Sequence, residues 1–103
     1  MKSPSATLSP QARRDLIEII KWLAERNPDA AYASHNFLDD ALGRLGDYPE
    51  IGFTREELAD PPVQFLSMAG SPYILVYDAD ERPPLVLRVL HGARDLPELL
   101  QDD

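Results

Sequence analysis

Leu85-Val86-Leu87-Arg88-Val89-Leu90-His91-Gly92-Ala93-Arg94-Asp95 decides how this chain is read. Its first six residues are apolar except Arg88 and include the β-branched Val86 and Val89, the composition of a strand. The five that follow bring a histidine, an arginine and an aspartate to the strand's end, one short step from Arg88. Upstream, Tyr73–Tyr77 and Val63–Ala69 have the same character, and the separators Gly70-Ser71-Pro72 and Asp78–Pro84 are turn-forming. Three strands on such short connections predict an antiparallel meander, with sequence neighbours as sheet neighbours.

The N-terminal half has a different period. Ser9-Pro10 opens a helix: the serine oxygen answers an orphan backbone N–H, and proline needs no donor at the first helical position. Ala12, Leu16, Ile19, Ile20 and Leu23 then line one face. Asn27-Pro28 stops this helix and starts another, whose stripe is Ala31, Leu38, Leu42 and Leu45 and whose end falls at Gly46-Asp47. So tight a junction predicts an antiparallel helical hairpin. Ala6–Leu8 reads as a short N-terminal edge strand, and Thr54-Arg55-Glu56-Glu57 has the spacing of a capping box, a bend or a short strand. The expected fold is α+β: an N-terminal antiparallel helical hairpin packed on a twisted antiparallel sheet of three or four strands, one domain over residues 1–103.

The strands are apolar on both alternating faces. Tyr73, Leu75 and Tyr77 point one way and Ile74 and Val76 the other. The hairpin covers one face. The second is left to the C-terminal Leu96, Leu99 and Leu100, to another chain, or to both.

Composition narrows the function classes. Ten Lys and Arg against eighteen Asp and Glu give a net charge of −8, which repels a nucleic-acid backbone and favours protein partners. With no cysteine, two histidines, no apolar run of bilayer-spanning length and no secretion-signal pattern at the N-terminus, a cytoplasmic, soluble domain without metal or cofactor is expected. There is no Gly-rich phosphate loop and no Gly-flanked serine nucleophile after a strand.

What remains is a cluster. His91 with Arg88, Arg94 and Tyr77 could perform metal-free RNA cleavage, which needs a base near the 2′-hydroxyl and cations around the phosphate. Equally, Arg94 and Asp95 could pair and pin the tail, with His91 a hydrogen-bonded structural residue. For partner binding the candidates are Trp22 on the flank of the first helix, Tyr73, Tyr77, Arg88, His91 and Arg94. His35, on the second helix, reads as a packing or surface residue.

In order and spacing, several segments resemble the ParE branch of the ParE/RelE toxin superfamily. They are Ala12-Arg13-Arg14-Asp15-Leu16-Ile17-Glu18-Ile19, Asn27-Pro28-Asp29-Ala30-Ala31, Tyr48-Pro49-Glu50-Ile51-Gly52 with Arg55 and Leu58, Tyr73–Tyr77 and Arg88–Asp95. The resemblance implies a toxin of a type II toxin-antitoxin operon that acts on DNA gyrase by binding. A ParD-like antitoxin, with a ribbon-helix-helix portion and a tail that wraps the toxin, would neutralise it by helix-in-groove docking or strand addition. It equally admits a RelE-like ribosome-dependent mRNA endoribonuclease, or a toxin-fold protein serving only antitoxin binding and operon autoregulation. Two positions depart from the family: Phe53 follows Gly52 where Gly-Arg is common after the proline, and Val63-Gln64 stands where an arginine is frequent. Two fewer cations argue for recognition over phosphate chemistry.

Overall fold

The computed structural model describes residues 4–68 and 71–95. The expected strand end at Ala69, the turn glycine Gly70 and the tail leucines Leu96, Leu99 and Leu100 lie outside the described residues. Chain order is β1 (Thr7–Leu8), α1 (Pro10–Arg26), α2 (Pro28–Asp47), β2 (Val63–Ser67), β3 (Tyr73–Asp78) and β4 (Leu85–His91).

Local chemistry sets the helix boundaries. Ser9 Oγ accepts from the Ala12 N–H at 3.0 Å and donates to the Leu87 carbonyl at 3.0 Å, so one hydroxyl caps α1 and fastens it to β4. Asn27 does two jobs as well. Its N–H donates to the Leu23 carbonyl at 2.6 Å, closing α1, while its side-chain oxygen accepts from Ala30 N–H at 3.2 Å, opening α2. The hairpin therefore turns on a single residue. At the far end of α2, Gly46 lets the N-terminal segment pass: a Cβ there would lie 2.0 Å from the Pro4 carbonyl oxygen.

The sheet has the order β1-β4-β3-β2. β2, β3 and β4 form the expected antiparallel meander, and the N-terminal edge strand runs parallel to β4, pairing Thr7 with Leu85 and Leu8 with Val86. In β4 the pairs Val76↔Arg88 and Tyr77↔Val86 leave Leu87 unmatched, a bulge that re-aims the strand before Arg88.

Two apolar clusters flank the sheet. On the helix side Ala12, Ile19, Leu38 and Leu45 pack with Leu75, Tyr77, Val86 and Val89. Opposite them Phe65, Val76 and Leu90 are buried with Leu58, Ala59, Val63 and Ile74 packed against them. Part of the second face is thus covered by the chain's own segment between α2 and β2, a cover the sequence reading had assigned to the tail or a partner. That segment bridges to the sheet at Phe53, whose N–H and carbonyl both pair with Phe65, and its Thr54–Glu57 stretch leads into a turn rather than a helix or strand.

Candidate functional site

β1 covers only the first two residues of β4. Further along, the outward-facing backbone donors are met by carboxylates. Asp15 of α1 accepts from the Val89 N–H at 3.0 Å and also from Arg88, at 2.8 Å from Nε and 3.2 Å from Nη2. Burial by itself would raise the Asp15 carboxyl, but the hydrogen bonds from Arg88, Gln11 and Val89 together outweigh it and hold the group below the ordinary carboxylate range. Two residues on, the His91 N–H donates to Asp95 Oδ2 at 2.7 Å.

His91 caps a helical turn over residues 92–95. Its Nδ1 accepts from the Arg94 N–H at 3.1 Å, which assigns the proton of the neutral ring to Nε2. The ring meets Tyr73 edge-on, centroids 5.5 Å apart. Arg94 Nε donates to Asp95 Oδ1 at 2.9 Å, and this bond, more than any other influence, keeps the Asp95 carboxyl low.

Two clefts meet at these groups. One, about 380 Å³, is polar and is lined by Asp15, Glu18, Trp22, Tyr73, Arg88, Arg94 and Asp95 among others. The second, about 510 Å³, is more apolar and runs between the hairpin and the start of β3, past Leu23, Ala33, Phe37 and Pro72. Trp22, Tyr73 and Arg94 border both. Trp22 is 49% exposed, with the Arg26 guanidinium 4.3 Å from its ring centroid.

Of the residues singled out in the sequence, the structure brings Trp22, Tyr73, Arg88, His91 and Arg94 to this region. Tyr77 does not join them, which corrects its place among the candidates: it has no exposed surface. Its hydroxyl accepts from the Gly52 N–H at 2.9 Å and sits 2.8 Å from the Pro49 carbonyl and 2.9 Å from Gln64 Oε1; Gln64 Nε2 in turn donates to Glu50. A Cβ on Gly52 would fall 2.7 Å from that hydroxyl. Tyr77 therefore anchors the 49–52 loop, and Gln64 shares the network. Two acidic residues were missed. Asp15 interrupts the apolar stripe of α1 between Ala12 and Ile19, at spacings of three and four, and that interruption was the available signal. Glu18 gives no signal in sequence at all.

As chemistry, the arrangement is well supplied with hydrogen bonds and poor in free positive charge. Arg88 is held by Asp15, Arg94 is paired with Asp95, and one nitrogen of His91 is committed to the backbone.

The sequence model of the ParE toxin of type II toxin-antitoxin systems matches residues 6–96. Toxin RelE1 of Caulobacter vibrioides is 32% identical over 89 residues, covering 82% of this chain and 89% of its own length. Toxin RelE3 of the same organism is 26% identical over 88 residues, covering 85% and 94%. Among solved structures, a chain of the chromosomal ParDE toxin-antitoxin system from P. aeruginosa superposes with a TM-score of 0.69 at 17% identity, over 88% of this chain and 98% of that one. That likeness is one of fold.

Proposed function

We propose a mode of action from the premise that this chain belongs to the ParE toxin family of type II toxin-antitoxin systems: it inhibits DNA gyrase by binding, catalyses no reaction itself, and is neutralised by a ParD-like antitoxin. The observation that supports binding over catalysis is the pairing of both arginines at the candidate site. A ribonuclease needs cations free to gather around a phosphate in the transition state. Here Arg88 lies 2.8 Å from Asp15 and Arg94 2.9 Å from Asp95, and Tyr77, the tyrosine proposed to assist, is sealed in the loop network. The exposed indole of Trp22, the clefts beside it and Tyr73 are surfaces for recognition.

Purified protein in excess is expected to block supercoiling by gyrase while leaving RNA intact. Unimpaired gyrase activity under those conditions overturns the reading. A second reading draws on the names of the two Caulobacter vibrioides relatives, both RelE toxins. Ribosome-dependent cutting of mRNA, lost on His91→Ala, would establish it, with the His91 Nε2–H as the remaining candidate proton donor. If expression without the antitoxin is harmless and neither target is affected, the chain acts only in antitoxin binding and operon autoregulation.

A further inference from the structure

The polar cleft has an unspent negative charge. Asp15 and Asp95 answer Arg88 and Arg94, whereas the third carboxylate on its wall, Glu18, has no hydrogen bond or ion pair among the described residues. Tyr73 lines the same cleft. It is only 6% exposed, and its hydroxyl has no hydrogen-bond partner among the described residues. No side-chain polar atom that is sealed from solvent among them lacks a partner, so this hydroxyl keeps contact with solvent, and Tyr73 borders both clefts. A nearly buried phenol and a carboxylate, both without a partner among the described residues, thus line one cleft. Trp22 supplies a third element: within the chain its ring already takes a guanidinium, that of Arg26.

An unpaired carboxylate, a phenol oxygen and an indole face together suit a guanidinium. That group donates in a planar fork and stacks on aromatic rings, which an ammonium does less well. We propose that the polar cleft is the receptor for one arginine side chain of the cognate antitoxin, and that the adjoining trough past Phe37 and Pro72 takes an apolar neighbour of that arginine. The occupant is fixed by charge: this chain carries −8, so a basic segment is drawn to it and an acidic one repelled. The inference rests on the antitoxin reading above but identifies where, and by which chemistry, the tail is held.

Trp22 is the sole tryptophan, so its fluorescence reports on the site. The full chain is titrated with N-acetyl-arginine amide and, as a neutral isostere, N-acetyl-citrulline amide. Arginine amide is expected to give a saturable change at millimolar concentration, with citrulline amide at least about tenfold weaker, and Glu18→Gln to erase the difference. Glu18 is exposed, and an unchanged melting curve for the variant shows that the fold is kept. Equal responses to the two probes, no response, or a preference that survives Glu18→Gln overturns the site. A second arm uses the product of the adjacent reading frame, replacing its tail arginines with glutamine one at a time. One replacement is expected to weaken the complex about tenfold with the unmodified toxin and leave it unchanged with Glu18→Gln; no such coupled arginine removes the antitoxin as occupant. If the neighbouring product does not bind at all, the antitoxin reading fails while the arginine-amide result stands separately.

Discussion

The two polar networks tied to the sheet are built from similar parts and behave differently. Around Tyr77, a phenol, an amide side chain and loop backbone engage one another beneath the surface, and no sealed side-chain atom among the described residues lacks a partner. Around the end of β4, two ion pairs and a capping histidine also satisfy one another, but beside them Glu18, Tyr73 and Trp22 line open clefts. A network with no sealed group left over holds the fold, and the one with groups left over is where we propose that a partner is met. Hydrogen bonding alone does not separate them, because both are rich in it. The separating property is whether any group is left unanswered at a surface.

This contrast can be broken most forcefully at Tyr77. Tyr77→Phe keeps the ring and strands the Gly52 N–H and Gln64, so a loss of about 2–3 kcal/mol is expected, read as a fall in Tm on the order of 10 °C or more. Binding to gyrase or antitoxin by the fraction still folded should be unaffected; a partner-specific defect with normal stability would place Tyr77 back among the contact residues. Asp15→Ala comes next, at about 2 kcal/mol in urea unfolding, because it leaves the Val89 N–H and the Arg88 guanidinium without their acceptor. Acid sharpens the comparison. The folded carboxyls of Asp15 and Asp95 lie below their ordinary value of 3.8, so their contribution is complete above that pH and is lost as pH falls through the lower folded values. Urea midpoints measured between pH 5 and pH 2 should decline in the unmodified chain and decline less in Asp15→Asn, whereas Tyr77→Phe should shift the curve without changing its shape. The smallest stability effect belongs to Glu18→Gln, expected within about 0.5 kcal/mol by thermal melting. Its consequence should appear only in binding.

Much of the fold was legible because it is written in local chemistry. Ser9-Pro10 and Asn27-Pro28 fix helix ends through caps a few residues away, and the strands announce themselves by side-chain type. The site was less legible because its contacts are long-range. Asp15 meets Arg88 across 73 positions, and in sequence it reads as one more surface charge on a helix. Alternation placed Tyr77 on the correct face with Leu75 but gives no depth, and depth is what decides that its hydroxyl serves a loop. The cover over Phe65 and Val76 was missed for the same reason: nothing near Leu58 in the chain says which surface it will reach.

The carboxylates along the outer side of β4 carry one last implication, for crowding rather than for recognition. An edge strand with open amides invites the edge of another molecule, and sheets propagate into aggregates by that route. Here the Val89 and His91 N–H groups are already occupied by acceptors from the same chain, the arginine-paired carboxylates of Asp15 and Asp95. On this side, growth of the sheet by a further strand would first have to evict Asp15 and Asp95, so copies made together in one cell are kept from polymerising along this edge.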